Sequence, residues 1–391
     1  MLSKTPVIAG VADAPLKKGM VLEGANVLNI QANAALEALD SAGLTLADVD
    51  GLMVTGVWAL PGPGQLMSIT MAEYLGIHPT FHDCTNIGGS TFEIFVARAA
   101  MAIEAGQAET VLILYGSTQR SEQSRNLAGR SPVFNMQYES HTGMPTPVGG
   151  YAMAMQRHMH EYGSTPETLA EIAVASRKWA KMNENATKRD DLTIDDVMNS
   201  PVISSPLRLR DCCLVTDGGG AVVVTTKERA KDLRKQPIYI KGYGECATHW
   251  HIAQMPDMAN LDVARIAGER AFKMAGMRHT DIDVTQIYDS FTVTVLLTLE
   301  ALGFAKAGEG KDLVANQNTA PGGNFPLNTS GGGLSYAHPG MYGIFLLIEA
   351  ARQLWGECGE RQVADVKTAL CHGTGGTLSS GATCILSTEE G

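Results

Sequence analysis

Two segments of this chain repeat one another, and this internal repeat constrains the fold more than any other feature. The segment Ala38–Gly43 matches Ala271–Gly276, and the acidic stretch Asp48–Asp50 matches Asp281–Asp283. Each matched position lies 233 residues later, as from 42 to 275 (275 − 42 = 233). In both copies an alanine-rich helix is predicted to end at the glycine, before an acidic turn and a short strand. The chain therefore contains two copies of one α/β unit.

The later parts of the two copies also correspond. Each copy shows a glycine turn, a helix, a buried strand and a final glycine-led strand. The matching helices are 92–105 and 344–354, the buried strands are 111–114 and 366–370, and the final strands are 220–225 and 381–386. Alternating strands and helices of this kind predict two α/β halves with mixed sheets, packed as a pseudo-dimer. We predict an N-terminal half over 1–230 and a C-terminal half over 236–391.

The first copy is longer because it carries an insertion over 115–207. This segment is polar and contains a predicted helix over 165–182, which Thr165-Pro166-Glu167 starts. Insertions of this length between a strand and its continuation usually serve substrate binding. We expect a loop subdomain over the substrate site here.

Two glycine-rich segments in the last third combine flexible backbone with side chains that move protons. The first is Asn328–Gly340, which contains His338, and the second is Cys371–Gly376. Glycine lets backbone N–H groups approach a ligand, and His and Cys side chains exchange protons near neutral pH. We expect the second segment to follow the strand 366–370. Together the segments indicate an active site.

Composition excludes several classes of function. The 391 residues are 45% apolar and 18% charged with a formal net charge of −11, which is typical of a soluble globular protein and unfavourable for binding nucleic acid. No apolar run is long enough to cross a membrane, and the N-terminus lacks a signal-peptide pattern. Seven scattered cysteines without zinc-site spacing favour reduced thiols, no metal site and a cytoplasmic location.

Three further motifs carry a resemblance to a known family. The block Tyr288–Phe291 stands where family members have Asn-Glu-Ala-Phe or His-Asp-Cys-Phe. Ala337–Pro339 corresponds to Gly-His-Pro, and Cys371–Gly376 corresponds to Cys-x-Gly-Gly-Gly. With the duplication, these motifs resemble the thiolase superfamily, most closely its sterol-carrier-protein-x and lipid-transfer-protein branch, over nearly the whole chain.

The resemblance implies a thiolase fold, in which the duplicated α/β halves form αβαβα layers with an inserted loop subdomain. It also implies an acyl-CoA substrate, with coenzyme A as part of the substrate and no permanently bound cofactor. Relatives in this branch often pair with a small zinc-ribbon and OB-fold accessory protein. They form dimers or larger assemblies. We expect a homodimer at least, because the apolar run Thr110–Leu114 would otherwise form an exposed edge strand.

The fourth family motif is changed in this chain. Thiolases carry their nucleophilic cysteine in Cys-x-x-Gly at the start of the first-half helix. Alignment on Gly89 places Asn86 at the cysteine position, and Cys84 lies two residues earlier. Cys84 is therefore an alternative nucleophile only if the loop is rebuilt.

This change separates two reactions. Claisen acyl transfer requires a thiolate that holds the acyl group, a base at Cα and a pocket that stabilises the enolate. Retro-aldol cleavage of a β-hydroxyacyl-CoA requires only the base and the pocket. The sequence favours the aldolase, a carbon–carbon lyase. The alternatives are a thiolase-type acyltransferase that uses Cys84, and an acyl-CoA-binding subunit of a larger complex.

The resemblance also implies roles for individual residues. His338 would donate to the thioester oxygen, and Cys371 would exchange the proton at Cα through a thiol of near-neutral pKa. Tyr288 resembles the tyrosine of the steroid side-chain aldolases and would exchange the proton of the β-oxygen if its pKa is lowered. A supporting set would orient backbone or donate N–H groups: Asp289, Gly373, Gly89 and Asn86.

Overall fold

The computed structural model describes residues 4–21, 25–55, 66–121 and 139–390. The strands of these residues are β1 (Pro6–Asp13), β2 (Gly51–Val54), β3 (Phe81–Asp83), β4 (Thr110–Ser117), β5 (Val202–Ser204), β6 (Leu207–Arg208), β7 (Gly218–Thr226), β8 (Ile238–Ala247), β9 (Val284–Ile287), β10 (Thr368–Gly375) and β11 (Ser380–Ser387). The helices are α1 (Val27–Ala42), α2 (Met67–Leu75), α3 (Thr91–Glu104), α4 (Val148–Tyr162), α5 (Pro166–Lys181), α6 (Ile194–Met198), α7 (Lys227–Ala230), α8 (Asp262–Ala275), α9 (Thr292–Ala301), α10 (Gly310–Val314) and α11 (Gly343–Trp355).

The repeat recognised in the sequence is also a repeat of structure. Helices α1 and α8 both end at a left-handed glycine, Gly43 with φ 82° and Gly276 with φ 65°. The acidic turns also match, because Asp50 accepts the backbone N–H of Thr110 and Asp283 accepts that of Thr368. Each acid thereby ties the turn after the first helix to the start of the strand that follows the central helix. The same local chemistry builds both halves.

One mixed sheet runs through both halves in the order β3-β2-β4-β7-β1-β8-β11-β10-β9. The halves join where Val7 and Ile8 of β1 pair with Tyr239 and Ile238 of β8. Helices α3 and α11 contact strands of both halves, whereas α1 packs on strands of the first half and α8 on strands of the second. The two central helices therefore lie between the halves, which is the layered α/β arrangement expected.

The apolar run predicted to need a partner at an edge is in fact central. Thr110–Leu114 belongs to β4, which pairs with β2 on one side and β7 on the other. The edge of the first half is β3 instead. Continuous apolar runs are typical of strands buried on both faces, so this run argued for a central position rather than for an edge.

A second expectation about local structure is also wrong. The segment Cys371–Gly376 was expected to follow a strand, but β10 includes residues up to Gly375, all of them buried. This strand pairs antiparallel with β11 and parallel with β9. Glycine is required at Gly375 because neighbouring backbone approaches this strand closely. A Cβ atom on Gly375 would lie 1.9 Å from the carbonyl oxygen of Ile87.

Helices α4, α5 and α6 lie in the described part of the insertion, followed by the short strand β5. Helix α5 lies within the predicted range, with Thr165 as its N-cap, Pro166 at its first position and Met182 as its C-cap. It contacts the Gly332–Tyr336 turn, which leads to His338. The insertion therefore supports the backbone of the first glycine-rich segment.

Candidate active site

Tyr288 and His338 come from different elements and meet in the interior. Tyr288 is the first residue after β9, and its N–H donates to the carbonyl of His372 in β10 at 2.9 Å. His338 lies between the Gly332–Tyr336 turn and α11, and its N–H donates to the Thr216 hydroxyl at 3.0 Å. The Tyr288 hydroxyl lies 2.9 Å from Nε2 of His338. One hydrogen bond thus joins two side chains that lie 50 positions apart in the sequence.

Burial keeps both members of this pair neutral. Tyr288 is 4% exposed and His338 is 8% exposed. Burial raises the pKa of Tyr288 well above its usual value and lowers the pKa of His338 to about 4. The sequence argument required a lowered pKa for Tyr288, whereas burial raises it, so that expectation is wrong. With both groups neutral, the phenol O–H can donate to Nε2 of the imidazole.

A second tyrosine fixes the orientation of the imidazole. The ring of Tyr342 is nearly parallel to that of His338, at 16° and 6.3 Å between centroids, and meets the ring of Tyr288 edge-on at 5.9 Å. Its hydroxyl lies 3.0 Å from Oγ of Ser330. Tyr342 is fully buried, so these contacts restrict the imidazole to the orientation that faces Tyr288.

Asp289 supports the backbone that carries His338. Its buried carboxylate accepts the N–H groups of Gly333 at 2.6 Å and Leu334 at 3.1 Å. Burial outweighs these hydrogen bonds and raises the pKa of Asp289 to about 7. A Cβ atom on Gly332 would lie 2.0 Å from Oδ2 of Asp289, so this close approach requires glycine. The carboxyl thus holds the turn from its inner side.

Gly89 lies directly beneath the Tyr288 ring. A Cβ atom added to Gly89 would lie 2.0 Å from Cε2 of Tyr288 and 2.6 Å from the carbonyl oxygen of Thr374. The start of α3 therefore forms one wall of the site, and this wall admits only glycine. Gly373 meets a different neighbour, because its Cβ would lie 2.1 Å from Oε2 of Glu93.

Cys371 is buried on the side of the sheet that faces the central helices. Its thiol donates to the carbonyl of Leu346 in α11 at 3.5 Å. Burial, with smaller contributions from Glu93 and Cys384, raises its pKa well above the usual value. The near-neutral pKa expected from the motif is thus wrong in direction. The structure offers a neutral thiol, which donates a proton more readily than it accepts one.

Cys84 and Asn86 lie in the exposed loop between β3 and α3. Oδ1 of Asn86 accepts the N–H of Gly88 at 3.2 Å, which shapes the turn before the helix. In the described ranges, no hydrogen bond joins the Cys84 thiol to Tyr288 or His338. Cys84 is a free thiol.

Sequence reasoning did not identify Glu93. This residue is 1% exposed in α3, and neither carboxyl oxygen has a hydrogen-bond partner among the described residues. The signal was present in the sequence, because Glu93 is a single acid in the apolar run Phe92–Val96. An unpaired acid on a fully buried helix face is rare in structural packing alone.

A third tyrosine was also missed, together with a cysteine. Tyr151 of α4 donates to the carbonyl of Gly376 at 3.0 Å, and the N–H of Cys213 donates to the carbonyl of Ser290. The Cys213 thiol acts electrostatically on both Tyr151 and Tyr288, so it lies on this side of the site. Cys213 is half-buried in a loop. These contacts join distant segments, which no local pattern reveals.

Two further properties concern only the described residues. No group of three or more His, Cys, Asp or Glu side chains is arranged to hold a metal ion within them. Their helices are also too short or too polar to span a bilayer.

Comparison with known proteins adds two kinds of similarity. The family described as thiolase N-terminal domain matches residues 6–228, and the family described as thiolase C-terminal domain-like matches residues 244–388. A solved structure titled Ltp2-ChsH2(DUF35) aldolase superposes with a TM-score of 0.85 at 31% identity, over 99% of this chain and 98% of that one.

Two curated relatives differ in the reaction that their names state. The 17-hydroxy-3-oxo-4-pregnene-20-carboxyl-CoA lyase of Mycobacterium tuberculosis is 34% identical over 97% of this chain and 99% of its own length. The acetyl-CoA acetyltransferase of Methanothermobacter thermautotrophicus is 30% identical over 90% of this chain and 92% of its own length. Similarity alone therefore points to both lyase and acyltransferase chemistry.

Proposed function

Because the chain belongs to the thiolase superfamily, we propose that it is a carbon–carbon lyase that cleaves or forms β-hydroxyacyl-CoA by retro-aldol chemistry. One observation carries this choice over acyl transfer. The Tyr288 hydroxyl lies 2.9 Å from Nε2 of His338 in a buried site, while Asn86 stands at the family's nucleophile position. A lyase of full-length similarity is among its relatives.

Tyr288 and His338 would act together on the β-oxygen. In cleavage, the β-hydroxyl gives its proton to the Tyr288 oxygen while Tyr288 passes its own proton to Nε2 of His338. The O–H electron pair forms the new carbonyl, the Cα–Cβ bond breaks, and its electron pair forms the thioester enolate. A phenol of raised pKa suits this concerted transfer because it never has to exist as phenolate.

Charge on the enolate would be stabilised by the same residues. Once protonated, His338 carries a positive charge beside the developing negative charge on the thioester oxygen, which favours the transition state in a dry site. Before the substrate binds, His338 is neutral because burial lowers its pKa to about 4. This agrees with a role for His338 both as proton acceptor and as electrostatic stabiliser.

The enolate then takes a proton at Cα. We assign this step to the Cys371 thiol, whose S–H proton forms the new C–H bond while its electron pair stays on sulfur. The raised pKa of Cys371 suits a donor.

Tyr288→Phe tests this division of roles because it removes one hydroxyl and keeps the ring. We expect cleavage of β-hydroxyacyl-CoA to fall by about 10²–10⁴. Exchange of the α-proton of a simple acyl-CoA into deuterated water should persist, since that substrate has no β-hydroxyl for Tyr288 to deprotonate. The melting temperature should change little.

Loss of both reactions in a folded Tyr288→Phe protein, or of neither, would contradict the assignment. Tyr239→Phe is a matched control, because Tyr239 lies in β8 at the junction of the halves and away from the site. It should leave both reactions unchanged.

The acyltransferase remains the second candidate. Cys84 is an exposed thiol in the loop that the family uses for its nucleophile, and an acetyl-CoA acetyltransferase is among the relatives. This reaction would need a covalent acyl-Cys84 and free CoA as the second substrate.

Finer features of the proposal concern substrate and assembly. We propose a steroid or fatty acyl group, and the name of the lyase relative supports the steroid. We also propose a dimer or larger assembly in the cytoplasm. A small accessory protein of the zinc-ribbon and OB-fold kind is also proposed, since the solved aldolase is titled with two components. We further propose the division into halves at about residue 230.

A further inference from the structure

Two segments that build the site close around the carboxyl group of Glu93, and a third segment contacts one of them. A Cβ atom on Gly373 of β10 would lie 2.1 Å from Oε2 of Glu93, and one on Gly343 at the start of α11 would lie 2.8 Å from the same oxygen. Gly343 also approaches the carbonyl of Gly89, because its Cβ would lie 2.1 Å from that oxygen. The carboxyl thus occupies a cleft that exists only because these positions lack side chains.

Each of these segments contacts Tyr288 or His338, the residues proposed to act on the β-oxygen. Gly89 lies under the Tyr288 ring. Gly343 follows Tyr342, which stacks on His338. Gly373 follows His372, whose carbonyl holds the N–H of Tyr288. A change in the volume or hydration of the cleft would therefore move the walls of the site.

Among the described residues, the cleft provides no group that would stabilise a charge on the carboxyl. Both oxygens of Glu93 lack hydrogen-bond partners in the described part of the chain, and the side chain is 1% exposed. Burial raises the pKa of Glu93 to about 8. An ionised carboxylate there would need water or a cation, and either would require the glycine segments to separate.

The titratable groups that face Glu93 are the thiols of Cys371 on β10 and Cys384 on β11. The following charged or phenolic groups on the other elements packed against α3 have their own partners. Glu349 of α11 pairs with Arg361, and Asp13 of β1 pairs with Arg352 of α11. Tyr115 of β4 donates to the carbonyl of Pro339, and Glu245 of β8 pairs with Arg98 of α3. In the described ranges, β7 contributes no ionisable side chain. The proton on Glu93 is therefore governed by its own burial.

We propose that Glu93 is a positioning residue that must be neutral for Gly89, Gly343 and Gly373 to hold the geometry of the site. This rests on the proposed lyase function only for its activity readout. Ionisation of Glu93 would loosen the walls around Tyr288 and His338 and reduce turnover. The enzyme would thus have an alkaline limit set by a residue that does not touch the substrate.

Glu93→Gln tests this, because the amide has nearly the shape of the neutral acid and cannot ionise. We expect the variant to retain wild-type cleavage within about threefold at pH 6.5. Wild-type turnover should fall about tenfold by pH 9, one unit above the pKa of Glu93, and the variant should lack this additional fall. Burial raises the pKa of Asp289 to about 7, and both proteins contain this residue, so the ratio of the two profiles isolates Glu93. Glu104→Gln, exposed at the end of the same helix, should follow the wild-type profile.

A second readout does not depend on activity. The folded pKa of Glu93 is about 8 against an ordinary value of 4.5, so between these pH values the unfolded chain releases a proton that the folded chain keeps. The free energy of unfolding of wild type should therefore fall relative to Glu93→Gln from pH 4.5 to 8 and stay level above. Urea titrations at several pH values measure this difference.

The possible outcomes are distinct. A Glu93→Gln protein that folds but is inactive at pH 6.5 would show that Glu93 transfers a proton, and it would overturn the positioning role. Parallel pH profiles for both proteins would also overturn it. If wild type cleaves no β-hydroxyacyl-CoA at any pH, the proposed function fails, while the unfolding measurements still decide whether Glu93 is neutral in the fold.

Discussion

At the residue scale, the chemistry depends on the contact between the Tyr288 hydroxyl and Nε2 of His338. Local motifs indicated both residues, together with Asp289, because His338 lies in a glycine-rich segment and the other two stand in the block Tyr288–Phe291. The directions of their pKa shifts could not be read from the sequence. Such shifts depend on burial by segments hundreds of positions away, as the lowered pKa of His338 and the raised pKa of Tyr288 show.

Replacement of Cys84 by alanine separates the two candidate reactions at this scale. We expect Cys84→Ala to cleave β-hydroxyacyl-CoA within about threefold of wild type, because the thiol is exposed and Asn86 occupies the nucleophile position. Steady-state kinetics with mass spectrometry of the intact protein after incubation with acyl-CoA measures both rate and acylation. Cys246→Ala, a half-buried thiol in β8, is the matched control.

A loss above about 100-fold in folded Cys84→Ala, or about 2.7 kcal/mol of barrier, would favour the acyltransferase. An acyl adduct that forms on the wild-type protein but not on Cys84→Ala would support the same conclusion.

At the element scale, the site depends on how closely α3, β10 and α11 approach one another. The sequence indicated these elements and their order, because their hydrophobic patterns and glycine starts are local. It did not indicate that β10 continues through Cys371 to Gly375, since glycine is usually read as a break. The close approach of Ile87 to Gly375 explains those glycines, and it is visible only in three dimensions.

Gly89→Ala tests the contact between α3 and Tyr288. The new methyl group would lie 2.0 Å from Cε2 of Tyr288, so the ring or the helix must move. We expect turnover to fall by about 10², as displacements near 1 Å at a reacting group do. Activity assays and near-ultraviolet circular dichroism would measure the change.

Gly76→Ala is the control for this experiment. Gly76 has a positive φ of 69° with nothing within 4 Å of an added Cβ, so its cost is about 1 kcal/mol of stability without a clash. Unchanged turnover in Gly89→Ala would show that the proposed wall of the site is not rigid.

At the scale of the whole molecule, the duplication predicted the architecture well. A repeat at an offset of 233 residues required two similar units, and the structure shows them with matching helix ends and acid-capped turns. The sequence did not show how the units join, because the β1–β8 pairing involves only two residue pairs without a local signal. The long-range burial of Glu93 at the meeting of both halves was hidden for the same reason.

Assembly is a prediction at this scale. The short strand β3 forms one edge of the sheet, and an unpaired edge invites pairing with a second chain. We expect a dimer at micromolar concentration by light scattering, with the amides of Phe81–Asp83 protected from hydrogen exchange. A monomer, or a dimer with freely exchanging β3 amides, would contradict pairing through this edge.

The requirement for free CoA tests the central claim most directly. Retro-aldol cleavage of a β-hydroxyacyl-CoA needs no acyl acceptor, whereas thiolytic cleavage consumes one CoA for each bond broken. With enzyme in excess over a panel of β-hydroxyacyl-CoA and β-ketoacyl-CoA thioesters and without free CoA, we predict a carbonyl compound and a shortened acyl-CoA in equal amounts from the hydroxy substrates. Cleavage of β-ketoacyl-CoA alone, and only after CoA is added, would contradict the lyase assignment.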